Sequence, residues 1–155
     1  MDRQPVQDVN IGDSLDTVLK LFQPRLAGIE VRRLYSPDVP PLKAFGSELN
    51  QVWAALVENS LDAMVGSGTL TLSTSLQGKT ILVEITDTGQ GIPAEHTNRV
   101  FEPFFTTKPF GKGLGLGLDT VQRVVGKHFG AVAFDSQPNK TTFHLRLPLD
   151  HTEVY

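Results

Sequence analysis

Four short segments between residues 48 and 117 hold the residue types and spacings that could do chemistry. They are Glu48–Met64 around Asn59, Asp87–Gly91, Phe101–Pro109 and Gly111–Gly117. Amide and carboxylate oxygens bind Mg²⁺, and glycine N–H groups before a helix bind anions such as phosphate. Each segment alone could arise by chance, so their fixed order along the chain is what makes them informative.

The first segment predicts a helix with oxygen-bearing side chains beside its apolar face. A helix that begins near Ser47 carries one apolar stripe, formed by Leu49, Val52, Trp53, Leu56, Ser60, Ala63 and Met64. At about 100° per residue, Asn59 and Asp62 lie within about 60° of each other at its border, with Glu58 just beyond. Because Mg²⁺ shares oxygen ligands with phosphates, Asn59 is the candidate metal ligand. A solvated helix border is the alternative interpretation.

The second segment directly follows a predicted strand. Gly89 and Gly91 can adopt positive φ and allow the backbone to approach a ligand closely. A carboxylate at the strand end, that of Asp87, can accept a hydrogen bond from an exocyclic amine. A tight turn also favours Asp and Gly, so this motif is weak evidence alone.

The fourth segment runs into another predicted helix, so its glycine N–H groups form a candidate phosphate site. The motif matches neither a P-loop nor a dinucleotide fingerprint. Lys108 and Lys112 are the nearest cations, and Lys108 is the stronger candidate phosphate partner. Both lysines could instead be solvated loop charges.

Composition indicates an ordinary globular domain. The chain has 155 residues, 39% hydrophobic and 20% charged, enough for a core of its own. Its net charge of −3 argues against nucleic-acid binding, and the absence of cysteine excludes disulfides and thiolate metal sites. No apolar run reaches the roughly 18 residues of a membrane span. We therefore expect a cytoplasmic domain without direct membrane contact.

The predicted elements alternate between helices and strands. Helices are predicted near residues 13–22, 47–64 and 118–125, and strands at 29–35, 69–76, 80–86, 131–136 and 141–149. This order predicts a two-layer α/β sandwich, with helices packed on one face of a sheet. Residues 1–11 are predicted to be a tether, residues 12–150 the folded domain and residues 151–155 a tail.

The four segments resemble the N, G1, F and G2 boxes of the GHKL ATPase superfamily. They are most similar to the catalytic and ATP-binding domain of bacterial sensor histidine kinases, over roughly residues 12–149. The resemblance implies a Bergerat fold with a mixed, mostly antiparallel sheet and a flexible ATP lid. It also implies binding of ATP with Mg²⁺ and transfer of the γ-phosphoryl group to a histidine.

The resemblance assigns roles to individual residues. It implies that Asn59 binds Mg²⁺, that Asp87 contacts the adenine amino group, and that Asn59, Glu58 and Lys108 serve catalysis. Thr141 or Thr142 would touch the base pocket through water. The full implied nucleotide site is Asn59, Asp62, Asp87, Gly89, Gly91, Ile92, Lys108, Gly111, Lys112, Gly113, Leu114, Gly115, Leu116, Thr141 and Thr142.

Two observations limit the resemblance. Ala55 stands one turn before Asn59, where the family carries an Asn or, in gyrase-type relatives, a general-base Glu; Glu58 is the possible substitute. None of the four histidines, His96, His128, His144 and His151, lies in the His-Glu/Asp context of a phosphoacceptor helix. The expected partners are therefore a separate phosphoacceptor domain, absent from this chain, and a downstream response regulator.

Two alternatives stay open at this point. A stand-alone GHKL serine kinase of the anti-sigma type fits the size of the chain, although the Phe101–Lys108 segment is not expected in that class. A nucleotide-binding module with reduced catalysis fits the alanine at position 55.

Overall fold

A computed structural model describes residues 6–90, 101 and 117–149. Within them the chain forms seven strands, three α-helices and a short 3₁₀ turn at Gln23–Leu26. In chain order the elements are β1 (Gln7–Val9), α1 (Ile11–Leu21), β2 (Ile29–Tyr35), β3 (Leu42–Ala44), α2 (Gly46–Met64), β4 (Gly68–Gln77), β5 (Thr80–Asp87), α3 (Leu118–Lys127), β6 (Ala131–Gln137) and β7 (Lys140–Pro148).

The main sheet has five strands in the order β2-β4-β5-β7-β6. Strand β2 runs parallel to β4, and the remaining neighbours are antiparallel. Two of those pairs are hairpins, whose turns contain Gly78 and Asn139 with positive φ. The predicted mixed, mostly antiparallel sheet is thereby confirmed.

The helices cover one face of this sheet. Alternate residues of β5, namely Ile81, Val83 and Ile85, are fully buried beneath them. Helix α2 lies centrally and contacts α1, α3 and β5. Its Trp53 is fully buried, and the indole N–H donates a hydrogen bond of 2.9 Å to Ser14 Oγ on α1. The predicted two-layer sandwich is confirmed.

Helix α2 is apolar around much of its circumference because the sheet and two helices surround it. It ends at Met64, followed by Val65 in the left-handed conformation (φ 52°). This end lies beside the carboxyl end of β5, where Gly89 packs against Ala63. None of the three described helices is long and apolar enough to cross a membrane.

Part of the segment predicted to be a tether is folded. Strand β1 pairs with β3, and α1 begins at Ile11 with Asn10 as its N-cap. The Asn10 side chain accepts a hydrogen bond of 2.9 Å from the N–H of Asp13. A strand of three residues with one buried side chain, Val9, is too short to produce a recognisable sequence pattern.

Candidate functional site

Asp87 ends β5 as a buried carboxylate, only 1% exposed. Its Oδ1 accepts a hydrogen bond of 2.9 Å from the N–H of Gly89. Burial raises the pKa of Asp87, while the Gly89 N–H and the neighbouring Ser60 hydroxyl act in the opposite direction. A buried carboxylate of this kind needs a further hydrogen-bond donor to compensate for its lost hydration.

Ser60 is a polar residue of the site that the sequence pattern assigned to the apolar stripe. Its Oγ is fully buried and has no hydrogen-bond partner among the described residues. The hydroxyl lies close enough to Asp87 to lower its pKa without reaching hydrogen-bond geometry. A serine within an apolar stripe, next to Asn59, is the sequence signal that could have identified it. Together the two side chains form a buried polar patch suited to a ligand or a water molecule.

Gly89 holds the turn after β5 against the C-terminal end of α2. A Cβ atom at this position would lie 2.6 Å from Ala63 Cβ and 2.7 Å from its carbonyl oxygen. The next N–H, of Gln90, donates to that carbonyl over 3.3 Å. Gly89 is not among the residues with positive φ, so glycine is required here for close approach alone. Gly91 and Ile92 lie outside the described residues.

The three predicted residues of α2 have different surroundings. Asn59 is half-buried, whereas Glu58 is buried rather than at a solvated border. Asp62 forms an ion pair of 2.7 Å with Arg25 of the 3₁₀ turn. Ala55, one turn before Asn59, is buried and offers no polar group there.

Strand register separates the two threonines of β7. Asp87 is opposite Thr141, and Thr86 is opposite Thr142. Because directly paired residues point to the same face of a sheet, Thr141 shares the helix-covered face with Asp87. Thr142 lies on the other face, with its Oγ1 2.9 Å from that of Thr86. The structure thus brings Thr141, but not Thr142, to the side of the sheet that holds Asp87.

The predicted phosphate-binding segment lies outside the described residues. This applies to Lys108, Gly111, Lys112, Gly113, Leu114, Gly115 and Leu116. Helix α3 begins at Leu118 with Gly117 as its N-cap, so the glycine-rich segment leads into a helix as predicted. Most of the predicted lid, residues 91–100 and 102–116, is likewise outside the described part.

The site combines a buried carboxylate, Asp87, which can accept a hydrogen bond from an amine, with the amide oxygen of Asn59, which can ligate a metal ion. The described residues contain no group of three or more His, Cys, Asp or Glu side chains that could hold a metal ion by themselves. A single amide oxygen such as that of Asn59 can serve an ion that takes its other ligands from phosphates and water. Fold and site together define a nucleotide-binding domain of the two-layer ATPase type.

Comparison with known proteins identifies the family. Residues 46–151 match the model described as histidine kinase-, DNA gyrase B-, and HSP90-like ATPase, and the chain belongs to this family. It is 37% identical, over 96% of its length, to the sensory histidine kinase/phosphatase NtrB of Azospirillum brasilense. The chain spans 41% of that relative, less than half of its length.

Solved structures agree with this assignment. The catalytic domain of the histidine kinase ThkA superposes with a TM-score of 0.84 at 24% identity, covering 96% of this chain and 97% of that one. Full-length ShkA in complex with AMPPNP gives a TM-score of 0.82 at 26% identity, covering 97% of this chain and 32% of that one. The predicted resemblance to histidine kinase catalytic domains is confirmed.

Proposed function

We propose that this chain binds ATP with Mg²⁺ and transfers the γ-phosphoryl group to a histidine of a phosphoacceptor domain outside the chain. The observation that carries the proposal is the buried Asp87 carboxylate at the end of β5, fixed by Gly89 beside the helix that holds Asn59. The proposed location is the cytoplasm, where ATP is available. The domain boundaries at residues 12 and 150 remain a prediction.

Asp87 is proposed to select adenine. Its Oδ1 is engaged by Gly89, so Oδ2 would accept a hydrogen bond from the exocyclic amine of the base. Guanine carries a carbonyl at the same position, which would face a carboxylate oxygen and leave two acceptors opposed. Ser60 and Thr141, on the same side of the sheet as Asp87, are proposed to bind a water molecule at the base. Gly91, Ile92 and Thr142 are predicted contacts that rest on the resemblance alone.

Asn59 is proposed to provide a ligand of Mg²⁺. Its amide oxygen is neutral, so it binds the ion without repelling the triphosphate. When bound, Mg²⁺ neutralises charge on the phosphate oxygens. Lys108, Lys112 and the glycine-rich segment Gly111–Gly117, with Leu114 and Leu116, are proposed to surround the phosphates. Asp62 is assigned to the same site.

Phosphoryl transfer depends mainly on positioning and on neutralisation of charge. A ring nitrogen of the acceptor histidine attacks the γ-phosphorus, the bond to the β,γ-bridging oxygen breaks, and ADP leaves. The nucleophile is the histidine itself, so transfer does not need a general base at position 55. Hydrolysis of the gyrase type does need that base, and alanine at position 55 cannot provide it. Glu58 and Lys108 are the further proposed catalytic residues.

The partners proposed are the phosphoacceptor domain and a downstream response regulator. Histidine kinase ThkA has been solved in complex with the response regulator TrrA, and this structure shares the fold with the chain. The four histidines of the chain lack a phosphoacceptor context, which supports an acceptor in another domain.

Calorimetric titration tests the binding step. The wild-type chain is titrated with ATP, ADP and GTP, each with and without Mg²⁺, and the Asn59→Ala variant is titrated in parallel. We expect selectivity for adenine nucleotides and a Mg²⁺-dependent gain in affinity that Asn59→Ala removes. Equal affinity for ATP and GTP would contradict the role of Asp87.

Transfer is tested with a phosphoacceptor domain of a relative such as NtrB, added in trans with ATP labelled at the γ-phosphate. Label should appear on the acceptor and should be absent when the acceptor histidine is replaced by Gln. Label on a serine would favour the anti-sigma alternative, which the sensor-kinase relatives do not support.

A nucleotide-binding module with reduced catalysis is the second candidate, and the buried apolar Ala55 is the observation that favours it. The Ala55→Asn variant restores the family residue. If that variant binds ATP like the wild type but transfers label at least tenfold faster, the native site is a weakened kinase site. Thermal unfolding of the wild type and of Ala55→Asn measures how much stability is lost when an amide is buried at position 55.

A further inference from the structure

Arg25 forms an ion pair with Asp62 of α2, three residues after the proposed metal ligand Asn59. Its Nη2 lies 2.7 Å from Asp62 Oδ1, and both side chains keep about a third or more of their surface exposed, at 43% and 32%. The nucleotide-site prediction included Asp62 but not Arg25, which lies 37 residues earlier in the chain. An exposed ion pair of this type contributes little to the free energy of unfolding. A role of Arg25 in ligand binding is therefore worth considering.

The backbone around Arg25 is fixed by contacts both before and after this residue in the chain. Its N–H donates a hydrogen bond of 2.8 Å to the carbonyl of Phe22, whose ring is buried in the core. Gly28, after the 3₁₀ turn, lies so close to the carbonyl of Gly66 that a Cβ atom would overlap it. The segment is therefore fixed against the C-terminal end of α2, and Arg25 extends from an anchored position.

Asn59 lies between Arg25 and the turn that follows β5. On the α2 surface, Ala63 is about 40° from Asn59 in one direction and Asp62 about 60° in the other. Ala63 contacts Gly89, next to the adenine-selecting carboxylate, and Asp62 contacts Arg25. A nucleotide with its base at Asp87 and its phosphates at Asn59 would thus extend towards the guanidinium.

The charge of Arg25 and its hydrogen-bonding capacity also suit a nucleotide that extends towards its guanidinium. Three acidic residues lie on the elements that form the proposed site, Glu58 and Asp62 on α2 and Asp87 at the end of β5, so a polyanionic ligand there needs a compensating cation. A guanidinium has five N–H donors in a planar fork, and one hydrogen bond to Asp62 is formed among the described residues. The remaining donors suit phosphate oxygens, which Arg can bind in a bidentate manner.

We propose that Arg25 is a phosphate-binding residue of this site, oriented by Asp62, with its guanidinium donating to a phosphate oxygen of bound ATP. The inference rests on the proposed ATP-binding function. Asp62 then acts as a positioning residue that holds Arg25 towards the ligand instead of contacting the nucleotide itself.

The test measures binding of ATP, AMP and adenosine to the full chain and to Arg25→Gln. We expect about a tenfold loss of ATP affinity, corresponding to one charge-assisted hydrogen bond, with no change for adenosine. The loss should shrink at high salt, because charge–phosphate attraction is screened. Arg25→Lys should recover part of the affinity, since it keeps the charge but not the fork.

Arg33→Gln is the matched control. Arg33 forms a comparable ion pair with Asp16 of α1, at 2.9 Å and with similar exposure, but does not contact α2 through it. This variant should bind ATP like the wild type. Thermal unfolding of both variants checks that neither alters the fold.

Two outcomes would overturn the assignment of Arg25. Unchanged ATP affinity in Arg25→Gln would exclude a phosphate contact, and an equal loss for ATP and adenosine would indicate a structural role only. In both cases the wild type still binds ATP, so the proposed function survives. A wild-type chain that binds no ATP would instead remove the proposed function and, with it, this inference.

Discussion

The Asp87 carboxylate and the Gly89 N–H are joined by a hydrogen bond of 2.9 Å, two residues apart at the end of β5. This contact engages one carboxylate oxygen, Oδ1, within the protein and leaves Oδ2 as the acceptor proposed for the base. Gly89 in turn packs against Ala63 of α2. The carboxylate proposed to select adenine is therefore positioned by the same turn that packs the end of β5 against α2, the helix that carries Asn59.

Replacing Asp87 by Asn should reverse the hydrogen-bonding character of the base pocket. Gly89 would retain the single amide oxygen as its acceptor, so the amide NH₂ would face the ligand. We expect ATP affinity to fall by about 100-fold and ITP, with a carbonyl at position 6, to bind better than to the wild type. Calorimetry with both nucleotides measures this. Unchanged affinity for ATP would remove the adenine assignment.

The raised pKa of Asp87 predicts a trade-off between stability and binding. Because the folded-state pKa lies above the ordinary 3.8, the folded chain holds the proton more tightly than the unfolded chain. The stability contribution of this group is complete below pH 3.8 and is lost as pH rises through the raised pKa. Asp87→Asn should therefore be more stable than the wild type at neutral pH, with an advantage that shrinks on acidification. Urea unfolding across this range measures it.

Ligand binding should follow the opposite trend. Protonation of Asp87 removes the charged acceptor, so affinity should decrease as pH falls through the raised pKa, beginning above 3.8. Adenosine is the suitable probe, because it carries no phosphate group that titrates. An affinity independent of pH down to 3.8 would show that the carboxylate does not contact the base.

Gly89→Ala should displace the turn from α2, because the added methyl group overlaps the Ala63 backbone. We expect a destabilisation of about 1–3 kcal/mol together with a loss of ATP affinity. Gly126→Ala in α3 is the matched control, since nothing lies within 4 Å of its added methyl group. That variant should be stabilised by up to about 1 kcal/mol through helix propensity. Equal effects of the two substitutions would contradict the close-approach argument.

His128 links the ends of two helices. Its Nε2 accepts a hydrogen bond of 3.1 Å from the N–H of Phe45, the N-cap of α2, and its Nδ1 lies 2.8 Å from the Val124 carbonyl of α3. A neutral imidazole protonated on Nδ1 satisfies both contacts. His128→Ala should cost about 2 kcal/mol of unfolding free energy, because the Phe45 N–H loses its acceptor.

His144→Ala is the control for that prediction. His144 lies on the uncovered face of the sheet, between Glu84 and Asp135 at 2.7 and 2.8 Å. Because polar contacts on a partly solvated surface contribute little, we expect a loss below about 1 kcal/mol. A larger loss for His144 than for His128 in chemical denaturation would contradict the helix-linking role.

Local patterns predicted most of the elements. The spacing of apolar residues indicated α2 and α3, and the strands predicted at residues 69–76 and 80–86 are β4 and β5, which pair as a hairpin. The position of Asp87 at a strand end was also predictable. These features depend on neighbours within a few residues, so periodicity and turn chemistry are sufficient to reveal them.

What the sequence by itself determined is the set of chemical groups, their elements and the family to which they belong. Only the tertiary structure decided that Thr141 and not Thr142 shares the face of Asp87, that Asp62 contacts Arg25, and that Ser60 is buried without a partner among the described residues. Strand register and helix packing join residues far apart in the chain. Such contacts depend on how the helices and the sheet pack against one another. A pattern within a few neighbouring residues does not determine that packing.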